Sequence, residues 1–497
     1  MLLWTRDSQS PYSPKMLKLF GIVDFWKRNP LDDSAERIER ALLDRTRRLV
    51  AGIHIQPNFD KVSGTLAVAK GRGRSLRVIF CDHVSRKIPP ALRNHCLELL
   101  NCKDQFSAID HREAIAELAD VQVAVVEELK QKANKYVDRI LAVSVVEPGI
   151  WSHDGVHLLS FCDATRLAER TGVNVIDALP DRDIAAGGRG KPLEPLPLWL
   201  LQADRDARIA RKANVCLLVE ETTTGYLLPP SDGLDAEIPE IQSLQTEGLA
   251  LIDGLLGMAS MESREQVSQL LVSGVHSKQL IAQWQSISDQ DANIEQRVTS
   301  MLEAAGSGQG QGLSAEQLLC SGMTWISENC QTMIEEALQQ LRDNWAAKRV
   351  RLERELSTAA HITKRKGFAA LEAFEHSLPD LKSPGCITID APHPISAGLA
   401  SRIQNLYEGV NVSGVWDIAT PQETSLSSTS IHGPSLVAAL LGVMHIDQMP
   451  ANIPSLTGAN QQRILGRLTP GRPNAWRNLV REIADNEPSA MKLRDAV

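Results

Sequence analysis

"LAERTGVNVIDALPDRDIAAGGRGKPLEPLP" occupies residues 167–197. Its opening completes a short helical pattern, "DATRLAERTG", that stops at Gly172, and "VNVIDAL" follows as an apolar run of strand type. Next come the charged residues 181–183, then Ala-Ala-Gly-Gly, a further glycine turn and an exit punctuated by prolines. Two glycines in succession let main chain approach a neighbour closely or adopt positive φ. An acid at the end of a strand beside such a loop stands where α/β folds place ligand chemistry, which singles out Asp183. A tight surface turn with a charged rim accounts for the same residues, and both readings stand at this point.

Outward from this stretch the chain alternates strands and helices, the pattern of an α/β fold. Upstream, residues 33–49 carry an acidic start, a basic end and an apolar stripe through Ile38, Ala41, Leu42 and Leu49, which predicts a helix. Three strand candidates follow, "VAGIHI", "GTLAVAK" and "LRVIFCD", the first two joined by the turn-prone "QPNFDKVS". A helical pattern covers about 106–136, and "DRILAVSVV" is a fully apolar strand. Downstream, "NVCLLVEETTTGYLLPP" (214–230) predicts a hairpin opening a second domain. Residues from about 245 to 375 are mostly helical, broken by the linker "AAGSGQGQGLS", and 345–370 is expected as one long helix. Strand "GCITIDA", helix "ISAGLASRIQNLY", strand "GVWDIA" and helix "PSLVAALLGVMHI" then resume the alternation.

At 497 residues the chain has room for two or three domains. A formal charge of −8 argues against nucleic acid as the main partner, and the local basic runs "KGRGRSLR" and "KRVRLERE" read as a hairpin tip and a solvated helix face. Eight cysteines are scattered with no C-x-x-C pair and no histidine at metal-ligand spacing, so we expect no metal site and a reducing compartment. No apolar run reaches the roughly 18–20 residues of a membrane span, and the first residues lack an apolar leader core; the expectation is a cytoplasmic protein without membrane contact. His153 and His157 flank an Asp-Gly turn and read as turn and strand histidines rather than a metal pair.

The stretch 167–197 closely resembles the signature of the 1,6-anhydro-N-acetylmuramic acid kinases, A-E-x-T-G, a strand, then D-F-R-x-x-D, A-A-G-G-x-G-A-P-L-V-P. A second similarity lies in "IPSLTGANQQRILGRLTPG" (453–471), against the family's V-T-G-A, L-G and Y-P-G ending. The family belongs to the sugar-kinase, actin and Hsp70 superfamily. The resemblance therefore implies two ribonuclease-H-like α/β domains around a cleft, here with a helical insertion at about 315–375. It divides the chain into an extension (1–48), a first domain (49–205), a second domain (206–471) and a tail (472–497). It also implies ATP and Mg²⁺ as cofactors, an anhydro amino sugar as substrate, and a place in cell-wall amino-sugar recycling. By the same resemblance Asp183 is the general base that activates water against the anomeric carbon, which requires a carboxylate within hydrogen-bond reach of that water. Gly187 and Gly188 leave space for the sugar. Arg189 and Lys191 stand where the family has Gln and Ala.

The phosphate loops depart from the family. Phosphoryl transfer relies on backbone N–H groups of glycine-rich turns, with Mg²⁺, to hold the phosphates. The first such loop falls on "QPNFDKVS" (56–63), where Asp60 survives and both glycines are gone. The second falls near "SVVEPG" (144–149). Glu220 and Glu221 occupy the phosphate hairpin, Gly248 is the remnant of a further turn with Asp253 behind it, and Pro392 and Pro394 replace the last glycine loop. Proline offers no N–H to an anion. These losses predict a pseudokinase that does not bind ATP, with an amino sugar, a protein partner or a second copy of the chain as its ligand. The alternatives are an active kinase with rebuilt loops and a non-catalytic scaffold.

Overall fold

A computed structural model of the chain describes residues 48–71, 76–101, 107–134, 140–152, 157–203, 212–218, 224–230, 239–244, 315–358, 371, 382–390, 395–407, 410–414 and 433–471. The first body is built on β1 (Arg48–Ile55), β2 (Lys61–Lys70) and β3 (Arg77–Lys87), an antiparallel meander. Helices α1 (Pro90–Asn101) and α2 (Ala108–Ala133) then lead to β4 (Ile140–Val146), which lies parallel to β1. A small hairpin, β5 (Gly149–Trp151) and β6 (Leu158–Ser160), precedes α3 (Ala164–Thr171) and β7 (Asn174–Asp177), the latter parallel to β4. The sheet order is β3-β2-β1-β4-β7, extended at the far edge by β13 (Arg467–Thr469).

The two-residue period of β1 explains its central place. Leu49, Ala51, Ile53 and Ile55 face one apolar cluster with Ile115, Leu118 and Leu129 of α2, while Val50 faces another. That second face is covered by α8 (Gly433–Ile446), "GPSLVAALLGVMHI", apolar on nearly every side as a fully enclosed helix must be. Gly52 makes the close approach possible, because a Cβ there would overlap the backbone of Ser435 and Ala439.

The second sheet repeats the same order. β8 (Asn214–Leu218), β9 (Thr224–Leu228) and β10 (Gln242–Ser243) form the antiparallel part, and β11 (Cys386–Asp390) and β12 (Asn411–Gly414) add parallel strands on the other side of β8. Two sheets of order 3-2-1-4-5, each with its crossovers, make the chain α/β with two ribonuclease-H-like units. Between β10 and β11 the chain inserts α6 (Ala315–Thr358), whose Ile334, Leu338, Leu341 and Trp345 are buried at helical spacing, and α7 (Ile395–Leu406) follows β11. Helix α5 (Pro195–Gln202) links the two units: Trp199 Nε1 donates to Pro229 O at 2.6 Å, and Gln202 Oε1 accepts the Thr388 hydroxyl at 2.7 Å.

Several expectations change. Arg48 and Leu49 belong to β1, not to a helix, because Leu49 packs into the α2 cluster while Arg48, on the opposite face, pairs with Asp447; residues 33–47 lie outside the described residues. Helix α8 and strand β13 pack on the first sheet, so 433–471 returns to the first unit rather than closing the second. Lys348, in the run read as a solvated helix face, is buried. The long helix ends its described part at Thr358, and 245–314 and the rest of 345–370 lie outside.

Candidate functional site

The stretch that opened the sequence folds as a strand, a kink and a glycine-rich turn. β7 ends at Asp177, and Ala178, at φ 51°, bends the chain out of the sheet. Asp183 was expected at the carboxyl end of a strand, at the lip of a cleft. It lies instead in the first turn of a short helix, α4 (Asp181–Ala185), because the N–H groups of Asp183 and Ile184 both find Pro180 O at 3.0 Å. Its side chain is fully buried rather than partly shielded.

Three donors converge on that carboxylate. Gly190 N–H reaches Oδ2 at 2.8 Å, while Asn452 Nδ2 at 2.6 Å and Thr457 Oγ1 at 2.8 Å both reach Oδ1. Thr457 ends α9 (Pro454–Thr457), in the second segment that the sequence singled out, and Asn452 stands just before it. Main-chain bonds complete the seam: Arg189 N–H to Thr457 O at 2.9 Å, and Asn460 N–H to Ala186 O at 2.8 Å. The resemblance left Gly187 and Gly188 to make room for sugar. The space beside Gly188 is taken by Asp183 itself, since a Cβ there would overlap Oδ2, and Gly187 (φ 86°) lies against the Asn460 amide. Gly187, Arg189 and Lys191 are exposed while Gly188 and Gly190 are buried, so the turn shows one face to solvent and the other to Asp183. Lys191 lies 5.2 Å over the Trp151 ring.

A band of ionisable groups, buried to different degrees, lies at the ends of β4 and β7. Buried Asp177 pairs with Arg467 Nη2 at 2.6 Å across β13, and this bond raises the guanidinium further above its ordinary value. Glu147, just past β4, accepts the Ser160 hydroxyl at 2.5 Å through Oε1, while Oε2 is buried without a partner. Burial pushes the Glu147 carboxyl up to about 8, helped by the charges of Asp177 and Asp181. Burial also raises Asp181 and the Cys162 thiol.

The turn where the first phosphate loop was expected has the opposite character. Gln56 N–H donates to Lys61 O at 3.2 Å, Phe59 N–H to Gln56 O at 2.8 Å, and Asp60 N–H to Asn58 Oδ1 at 3.1 Å. Pro57 has no N–H to offer. Phe59, at φ 50°, turns its ring fully inward against Phe161, centroids 4.9 Å apart. Among the described residues the Asp60 carboxylate pairs with Arg93, at 3.8 Å. Three N–H donors of this turn are therefore committed within it, and the turn does not fit an anion cradle. Gly248, Asp253, Glu220, Glu221, Pro392, Pro394 and His153 lie outside the described residues. Among the described residues no cluster of three metal-ligand side chains occurs, and no helix is long and apolar enough to cross a membrane.

Sequence reasoning placed Asp183 but missed Asn452 and Thr457 as its partners. For Thr457 the signal was the second motif stretch, "IPSLTGAN", whose contact with the first only the fold reveals; Asn452 lies one residue before it.

Comparison with known proteins finds similarity over the part of the chain that holds the first motif stretch. Residues 61–238 match the family model "Anhydro-N-acetylmuramic acid kinase". The anhydro-N-acetylmuramic acid kinase of Ralstonia nicotianae is 36% identical over 153 residues, 29% of this chain and 38% of that protein. The enzyme of the same name from Gloeobacter violaceus is 29% identical over 166 residues, 32% of this chain and 43% of that protein. The matched region thus spans less than half the length of either relative. Among solved structures, a ROK hexokinase from Thermus thermophilus aligns at 13% identity over 79% of this chain and 97% of that one, with a TM-score of 0.26. Residues 61–238 of the chain are thus similar to the anhydro-N-acetylmuramic acid kinase family.

Proposed function

We propose that this protein is a pseudokinase of sugar-kinase descent: it holds an anhydro amino sugar at the turn centred on Asp183 and transfers no phosphoryl group from ATP. The observation that carries this reading is the β1–β2 turn. A phosphate cradle needs several free N–H groups aimed at one point. In residues 56–60 the N–H groups of Gln56, Phe59 and Asp60 are bonded inside the turn, and the Phe59 ring fills the space behind them. Glu147 adds a carboxyl where the second phosphate loop was expected, and any charge on it opposes a triphosphate. Removing one preorganised donor typically costs about 10²–10³ in rate, and this turn lacks more than one.

The Asp183 side argues for a retained sugar partner. Its carboxylate is held by donors from two distant chain segments, as a group with a fixed task requires. Calorimetry with Mg-ATP tests the proposal, followed by a coupled ADP-release assay with anhydro-N-acetylmuramic acid. The expected outcome is no heat of binding at millimolar nucleotide and no sugar-dependent turnover. Micromolar Mg-ATP binding with sugar-dependent ADP release would make the protein an active kinase and overturn the proposal.

A further inference from the structure

We infer that Asn452 and Thr457 are positioning residues, which orient the Asp183 carboxylate toward the sugar. The inference rests on the reading that Asp183 meets that ligand, and it adds two residues that neither the 167–197 motif nor the family match contains. The family model stops at residue 238, more than two hundred positions before either side chain.

An ionised carboxylate offers about four lone-pair positions. Two on Oδ1 are taken by Asn452 Nδ2 and Thr457 Oγ1, and one on Oδ2 is taken by Gly190 N–H. The remaining position, on Oδ2, takes no donor among the described residues.

Both side-chain donors are themselves fixed in direction. Asn452 Oδ1 accepts Arg463 N–H at 2.5 Å, and its Nδ2 also donates to Gln461 O at 3.1 Å, so the amide can turn only its N–H toward Asp183. Thr457 Oγ1 accepts Ala459 N–H at 3.4 Å, which leaves its own hydrogen for Asp183. The backbone of Thr457 is held in turn by its N–H to Ile453 O at 3.0 Å. The three donors thus fix the plane of the Asp183 carboxylate, and turning it out of that plane would strand buried donors, a costly change in a dry site. A purely structural staple would need donors, and nothing in that role would require both of them to meet the same oxygen. Their convergence on Oδ1 leaves the one remaining acceptor position beside Gly190 N–H, on Oδ2.

The test compares Thr457→Val, which keeps the shape and removes the hydroxyl, with Thr457→Ser, which restores it. Each is measured against the unmutated full-length chain by calorimetry and thermal melting with anhydro-N-acetylmuramic acid. The expected result is a loss of about tenfold or more in sugar affinity for Thr457→Val, the size of a lost hydrogen bond to a charged group. Thr457→Ser should return to within a few-fold of the unmutated protein. Asn452→Ala gives the same readout if Thr457→Val does not fold. An unchanged sugar affinity in Thr457→Val, even with a lowered ligand-free melting temperature, reduces the residue to a structural staple and overturns the inference. Absence of a sugar response in the unmutated protein instead removes the reading of Asp183 on which it rests.

Discussion

Two turns leave the first sheet, and they are built in opposite ways. In the turn at 183–190, glycines at 187, 188 and 190 keep the main chain slim, and donors from two segments point at one carboxylate. The turn at 56–60 contains no glycine, has Pro57 near its start, and closes its own N–H groups onto neighbouring acceptors around the buried Phe59 ring. The strands beneath are alike in kind: β1, β4 and β7 are neighbouring strands of one sheet, buried along nearly their whole length. Strand register is set by a burial period that many sequences satisfy, whereas a ligand turn depends on a few backbone angles and a few free donors. A sheet can therefore survive while one of its turns changes purpose.

The strongest way to break this comparison is at Phe59. If its ring is the plug of a rebuilt turn, Phe59→Ala should destabilise the protein by about 3–5 kcal/mol, the usual cost of a fully buried phenylalanine. Urea unfolding measures this directly, with calorimetry confirming that the variant gains no affinity for Mg-ATP. A loss below about 1 kcal/mol would mean that the ring is not packed as described and that the turn can open. Nucleotide binding appearing on truncation would show a latent cradle beneath it.

Glu147 sharpens the comparison by smaller means. Its carboxyl is raised from 4.5 to about 8, chiefly by burial, so the folded protein keeps a proton that the unfolded chain has already released. Between those two values the folded state binds more protons than the unfolded one, so stability falls as pH rises and levels off above about 8. Below 4.5 the penalty is absent. Holding a proton through one pH step beyond its ordinary release is worth about 1.4 kcal/mol, and the partly exposed stem of the residue reduces the total. We expect Glu147→Gln to flatten this slope and to gain about 2 kcal/mol above pH 8. Equal pH profiles for the variant and the unmutated protein would show that the carboxyl is already well solvated.

Much of the sheet was legible because apolar runs and turn residues coincide. "VAGIHI", "GTLAVAK" and "LRVIFCD" are β1 to β3 within a few residues, and the 214–230 hairpin is β8 and β9. Gly172 ends α3 in the left-handed conformation that its type favours. The failures have physical causes too. A basic end and an apolar stripe made Arg48 and Leu49 look helical, but Arg48 is buried in an ion pair with Asp447, on the far side of the sequence. That long-range pair, like the return of α8 and β13 to the first sheet, leaves no periodic trace in the chain. Asn452 and Thr457 were hidden for the same reason: their partner is 269 and 274 residues away.

The smallest expected effect separates the two aspartates that sequence resemblance placed in one machinery. Asp60 is half exposed, and its nearest cation is Arg93 at 3.8 Å, also exposed. Such surface pairs contribute roughly 0–1 kcal/mol. The residue's fixed contribution to the turn is main-chain: its N–H meets the Asn58 side chain, and its carbonyl receives Ile88 N–H at 3.0 Å. Asp60→Asn preserves both bonds and should change the stability by less than about 0.5 kcal/mol, with no change in the response to sugar, Mg²⁺ or nucleotide. Asp183→Asn, by contrast, turns an acceptor into an amide that confronts Asn452 Nδ2, Thr457 Oγ1 and Gly190 N–H with at least one donor against a donor. It should abolish the sugar-induced rise in melting temperature. A Mg²⁺-dependent effect of Asp60→Asn would return that residue to a nucleotide role and reopen the turn at 56–60 as a phosphate site.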